Sequence, residues 1–343
     1  MRRTFPRRPN RAWCAPNAGV KRMLQKPKCP IIALEEHYAD DELIATYTGA
    51  DVNPVPAIVT RLRDVGEERL KAMDADGIDM QVLSHTAPST QKLGPDVAVD
   101  FARRVNDRLA ALIKAHPTRF AGFAALPTSN PAAAADELDR TVTALGFKGA
   151  MIHGQANGVW LDDKRIWPVF ARAEKLDVPI YLHPSMPQTP VADSYYKDYA
   201  ARYPILLRAA WGYTVETATQ AVRLVLSGVF DAHPRLKIIL GHFGEGLPFL
   251  LWRINNAFMR SEKDSVAFRD IFRRHFYITT SGFFSDTALL CSVMELGVDR
   301  IMFSVDYPFE AQPPAPRWLA NIPLCDEDKA KIASGNVTRL LKL

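Results

Sequence analysis

Six side chains able to bind a metal or move a proton recur in similar settings along this chain: Glu35, His37, His153, His183, His242 and Asp306. Each closes or nearly closes a short run of β-branched and apolar residues, namely IALEEH, AMIH, IYLH, IILGH and IMFSVD. Neutral imidazole and carboxylate suit zinc, manganese or iron(II). Glu35 and His37 are two residues apart, so in an extended segment both leave one face and can reach one ion, with Glu36 pointing the other way. A lone histidine at a strand end is more often structural than a ligand. Glu35, His37, His183 and Asp306, spread over three strand ends, together imply a site for one divalent ion.

Such convergence needs a scaffold that gathers strand ends. The hydrophobic pattern predicts strands at Ile31–Glu35, Asp79–Ser84, Phe120–Leu126, Phe147–His153, Val178–His183, Leu236–His242, Phe276–Ser281 and Arg300–Asp306. Helical punctuation lies between them. Ala98, Phe101, Ala102, Val105, Leu109 and Leu112 follow a 3.6-residue period, Asn130-Pro131 is a start signal, and Gly77, Gly146 and Gly297 are stop signals. Eight strands alternating with helices predict an α/β fold, a closed (β/α)8 TIM barrel whose strand C-termini form the working face. No GxGxxG turn follows the first strand and no GxxxxGK loop occurs, which argues against a doubly wound nucleotide-binding sheet. Stretches 40–65 and 184–213 exceed simple connections and are expected to shape a substrate pocket.

Charge narrows the function classes. The 343-residue chain has a formal net charge of +5, yet nine basic residues and no acidic one fall within residues 1–30. That tail, rich in Arg, Pro and Asn, is expected to be a disordered extension, and residues 31–343 a single barrel domain. The body is mildly acidic and offers no basic groove, so nucleic acid is not an expected partner. No apolar run approaches the roughly 20 residues needed to span a membrane. Cys14, Cys29, Cys291 and Cys325 form no CxxC pair, which fits a reducing cytoplasmic setting and argues against zinc–thiolate chemistry.

The motifs IALEEHYA (32–39), PIYLHP (179–184), IILGHFGEGLPFLLWRI (238–254) and FSVDYPFE (303–310), with RLKAMDADGID, RFAGFAALP and GFKGAMIHG, resemble the amidohydrolase-related decarboxylases, in particular the γ-resorcylate and 2,3-dihydroxybenzoate decarboxylases. The resemblance implies one zinc or manganese ion on Glu35, His37, His183 and Asp306, with a hydroxylated aromatic acid as substrate. It implies that His242 and Glu245 lie near that substrate, that Arg253 organises the site, and that the chain forms a homo-oligomer, a dimer or tetramer. Asp306 is the expected proton donor to the ring carbon. His153, Tyr38 and His85 are further pocket candidates. The alternative chemistry is hydrolysis of a lactone or amide, in which the same ion activates water and Asp306 acts as base.

Overall fold

In a computed structural model, residues 29–261, 263–310 and 314–343 are described. The expected N-terminal extension lies, for residues 1–28, outside them. Nine parallel strand segments follow one another: β1 Ile32–Tyr38, β2 Met80–His85, β3 Phe120–Gly122, β4 Ala124–Ala125, β5 Ala150–His153, β6 Ile180–His183, β7 Ile238–Leu240, β8 Phe276–Thr279 and β9 Ile301–Met302. β3 and β4 are one strand interrupted at Phe123. There the chain turns from one neighbour to the next: Phe123 N–H donates to Leu83 O, and Ala124 N–H to Gly149 O. Eight strand positions result, as the hydrophobic pattern predicts.

The first and last positions meet through a sparse set of bonds. His37 N–H donates to Tyr307 O at 2.7 Å, and Glu35 N–H to Ser304 Oγ at 2.6 Å. The alternation of side chains sorts the core into two clusters. Ile32, Leu34, Val82, Phe123, Met151, Tyr181, Ile239 and Met302 fill the interior of the barrel. Their neighbours Ala33, Ala150, Ile152, Ile180, Leu182, Ile238 and Leu240 face the surrounding helices. A period of two on strands inside a period of 3.6 on helices dictates this layering.

Helix ends follow local chemistry. Asn130 Oδ1 accepts Ala133 N–H ahead of Pro131, Ser285 Oγ accepts Ala288 N–H, and Gly77 stops its helix at φ 74°. The long stretches after β1 and β6 are not bare loops. They fold into short helices, including Pro56–Arg63 and Thr189–Tyr195. Several expected boundaries move, two of them at candidate site residues. The sixth strand position ends at Leu240, before His242, and the eighth at Met302, before Asp306. No described helix is long and apolar enough to cross a membrane.

Candidate metal centre

Glu35 reaches the barrel interior because β1 is bulged. Ile32 and Ala33 pair with Met80 and Gln81, and Glu36 and His37 with Leu83 and Ser84, so Leu34 and Glu35 together face the single residue Val82. The bulge reverses the parity of the strand. Ile32 and Leu34 point inward before it, Glu35 and His37 after it. Glu36 is thrown to the opposite side, as expected, where it is fully buried.

One ligand atom from each of Glu35, His37, His183 and Asp306 lies within 4.8 Å of all the others. His37 Nε2 is 3.3 Å from Asp306 Oδ1, and His183 Nε2 is 3.4 Å from Glu35 Oε1. Three of these atoms, Glu35 Oε1, His37 Nε2 and Asp306 Oδ1, are buried without a hydrogen-bond partner. Orphaned buried polar atoms are costly, by about 1–3 kcal/mol each. Two carboxylates and two imidazoles aimed at one point are the donor set of a divalent transition metal, so the residues fit such an ion.

The ligands are held from behind. Glu35 Oε2 accepts a hydrogen bond from Tyr181 O–H, whose oxygen also lies 2.8 Å from Thr279 Oγ1. Oε1 is thereby left for the ion. Gly241 backs the same carboxylate so closely that a β-carbon there would sit 2.6 Å from Glu35 Oε2. Phe309 stands edge-on to the His37 ring at 5.4 Å between centroids. Asp306 has φ 73°, a left-handed conformation that few non-glycine residues adopt. Glu36 Oε1 steadies the approach to it by accepting from Val305 N–H at 2.9 Å and from Ser304 Oγ at 3.2 Å.

After β7 the chain makes a left-handed turn. His242, Phe243, Gly244, Glu245 and Gly246 all have positive φ. Three of the five carry side chains, so this turn stores backbone strain. It folds Glu245 back onto its neighbour: Glu245 Oε1 is 2.8 Å from His242 Nδ1, and His242 Nε2 is 3.6 Å from Asp306 Oδ2.

Burial and neighbours set the charges. Burial opposes the cationic form of His242, but Glu245, Glu35 and Asp306 outweigh it and lift the imidazole well above its ordinary range. Burial would also raise Asp306, yet the adjacent His242 and His37 imidazoles hold it below the usual carboxylate range. Glu35 is raised, chiefly by burial. His183 falls well below the ordinary imidazole range, by burial and then by the adjacent imidazoles, and so presents a lone pair. The arrangement is a candidate ion site flanked by the His242–Glu245 pair.

The other candidates land elsewhere. Tyr38 points to the helix-facing core, the outward parity after the bulge, and not into the metal group. His85 is buried with both nitrogens engaged: Nε2 accepts from Asp40 N–H and Nδ1 faces Thr86 O. His153 borders a small cavity of about 40 Å³ shared with Lys92, Ser185, Arg208 and Tyr213, but its ring nitrogens face His85 O and His183 Nδ1. Neither histidine offers a free nitrogen to a substrate. Arg253 is exposed on the helix Leu247–Met259, and no described hydrogen bond or ion pair joins it to the metal group. Its placement depends on which helix face turns outward. A larger cleft of about 610 Å³ shares no residue with the metal group. Tyr181, Gly241, Ser304 and the clamping role of Glu36 were missed from sequence. Only Tyr181 carried a signal, standing two residues before His183 on the same strand face.

Residues 50–343 match the amidohydrolase family. A γ-resorcylate decarboxylase of Rhizobium radiobacter is 43% identical over 330 residues, covering 91% of this chain and 98% of that protein. A solved 2,6-dihydroxybenzoate decarboxylase complexed with 2,6-dihydroxybenzoate superposes with a TM-score of 0.83 at 40% identity, over 92% of this chain and 99% of that one. A dihydroxybenzoic acid decarboxylase from Polaromonas sp. JS666, with bound manganese and the inhibitor 2-nitroresorcinol, gives 0.84 at 42% identity, over 92% and 97%.

Proposed function

The chain belongs to the amidohydrolase family, and we propose that it is a metal-dependent, non-oxidative decarboxylase of a hydroxylated aromatic acid of the dihydroxybenzoate type. The observation that carries this reading is the four-residue metal group with His242 Nε2 3.6 Å from Asp306 Oδ2. Relatives at 40–43% identity spanning nearly the whole chain are decarboxylases, which favours this chemistry over lactone or amide hydrolysis.

A divalent ion held by Glu35, His37, His183 and Asp306, manganese in a similar structure, would polarise the substrate carboxylate and its ortho hydroxyl. The residues of the chain manage the proton. Loss of CO₂ from an aromatic ring requires a C–H bond to form at the carbon bearing the carboxylate, after which that C–C bond breaks and its electrons restore the ring. Asp306 is the group placed to deliver this proton. Because Asp306 is held ionised, its proton must come from a neighbour, and His242 Nε2 at 3.6 Å is the donor at hand. Glu245, behind Nδ1, keeps the imidazole charged and oriented. The strained turn fixes both residues before substrate arrives, so little reorganisation is left for the reaction.

A homo-oligomer is the assembly we propose, supported by the exposure of Phe249 and Trp252 on the helix Leu247–Met259. A panel of mono- and dihydroxybenzoates, scored for CO₂ release by manganese-loaded protein, tests the reaction. Turnover of 2,6-dihydroxybenzoate or a close isomer is expected. Hydrolysis of lactones or amides without any CO₂ release would overturn the proposal.

A further inference from the structure

His153 lies outside the four ligands, and both its ring nitrogens are committed to protein atoms. We propose that His153 is a positioning residue that holds the proton of His183 on Nδ1, and so keeps the Nε2 lone pair open toward the metal. The inference rests on the metal site described above and concerns a residue that does not touch the ion.

A backbone carbonyl can only accept a hydrogen bond. His153 Nε2 lies 3.0 Å from His85 O, so Nε2 carries a proton. His183 Nδ1 lies 2.8 Å from Pro184 O, so that atom carries one too. The two Nδ1 atoms face each other at 2.9 Å. If His153 Nδ1 also bore a proton, two donors would meet head to head. His153 Nδ1 is therefore an acceptor, and the His183 Nδ1–H is shared between it and Pro184 O. The remaining His183 nitrogen, Nε2, then has a lone pair and points to Glu35 Oε1 at 3.4 Å.

The acceptor is itself anchored. His153 N–H donates to Gln91 Oε1 at 2.6 Å, and Gln91 Nε2 returns a bond to His153 O at 3.4 Å. His85, whose carbonyl receives His153, is fixed by Asp40 N–H to its Nε2 at 2.9 Å. The His153 and His183 rings meet at 73° with centroids 4.7 Å apart, which leaves His183 little freedom to flip. A partner that accepts from the far nitrogen of a ligating histidine fixes its tautomer and raises its basicity. Loss of such partners weakens metal binding about 10–100-fold.

The test compares His153→Leu with His153→Asn, whose side-chain oxygen can take the place of Nδ1 as acceptor. Mn²⁺ dissociation constants are measured by chelator competition on full-length protein without substrate. His153→Leu is expected to bind about 10–100-fold more weakly, with His153→Asn much closer to wild type. Equal weakening in both variants, or none in His153→Leu, would overturn the role. Should His153→Leu fail to fold, long-range ¹H–¹⁵N correlation spectra of wild-type metal-free protein decide the point. A proton on His183 Nδ1 facing an unprotonated His153 Nδ1 is expected, and a proton on His153 Nδ1 or on His183 Nε2 would contradict the proposal. Wild-type protein that binds no Mn²⁺ would overturn the metal site itself, a failure distinguishable from that of His153.

Discussion

Glu36 Oε1 accepts the backbone N–H of Val305 at 2.9 Å, so a carboxylate on the outward side of β1 grips the chain one residue before Asp306. The same oxygen takes Ser304 Oγ, while Gln81 Nε2 approaches Oε2 at 3.4 Å. Burial raises this carboxyl to about 8. Glu36→Gln keeps an acceptor for Val305 and is expected to retain metal and most stability. Glu36→Ala leaves Val305 N–H without its partner, at about 1–3 kcal/mol, and frees the Asp306 segment. Thermal unfolding and metal content of the two variants check this. Equal behaviour would show that Glu36 merely fills space.

Tyr181→Phe removes the hydroxyl that occupies Glu35 Oε2. The phenyl ring still fills the interior, so the fold should survive. Freed of that bond, Glu35 can rotate away from the geometry required by the ion, and Mn²⁺ affinity is expected to fall roughly 10-fold. Titration with Mn²⁺ followed by calorimetry measures it.

Gly241→Ala probes the same carboxylate from the other side. The added β-carbon would lie 2.6 Å from Glu35 Oε2, inside any permitted contact. Either Glu35 or the β7 turn must shift. Metal content after purification is expected to drop well below that of wild type. Full occupancy would mean that the turn yields and the ligand does not.

These two variants mark where the sequence stops being readable. The spacing Glu35-x-His37 correctly put both on one face, and Tyr181 could have been read from its place two residues before His183. Ile32 and Leu34, however, give the opposite parity for the interior, and the conflict is resolved by a bulge set by pairing with β2. His242 and Asp306 read as strand termini because their runs are apolar up to them. They lie instead on left-handed backbone beyond the strands, a conformation that non-glycine residue types do not advertise. Tyr38, His85, His153 and Arg253 were named for their position near strand ends or in a motif. Whether such a residue faces a pocket, the core or solvent is decided by tertiary packing. The eight strand positions were legible because their apolar runs are long and the helices between them are periodic.

Glu216 gives a pH test at a carboxyl that is not one of the four ligands. It lies on the helix Gly212–Leu226, with Oε1 buried and unpartnered, and burial raises its carboxyl to about 7. A carboxyl raised in the folded state favours the protonated form there. Its contribution to stability is complete below about 4.5, the unfolded value, and is lost as pH rises through about 7. Glu216→Gln should therefore raise the melting temperature relative to wild type at pH 8 and change it little at pH 4.5. A constant difference across that range would contradict the assignment.

His242→Asn removes the proton held next to Asp306 and is expected to lower kcat by about 10²–10⁴-fold, the usual scale for a general acid or base. Mn²⁺ affinity should change far less. Glu245→Gln should have a smaller effect of the same kind, because it weakens the charge on His242 without removing the ring. Steady-state kinetics beside Mn²⁺ titration separate the two contributions.

The most direct measurement is CO₂ release from 2,6-dihydroxybenzoate by manganese-loaded wild type and Asp306→Asn, assayed side by side at matched protein concentration. Sustained turnover by the wild type and loss of turnover in Asp306→Asn, with the variant still folded, are expected. Comparable CO₂ release by the two proteins would contradict it.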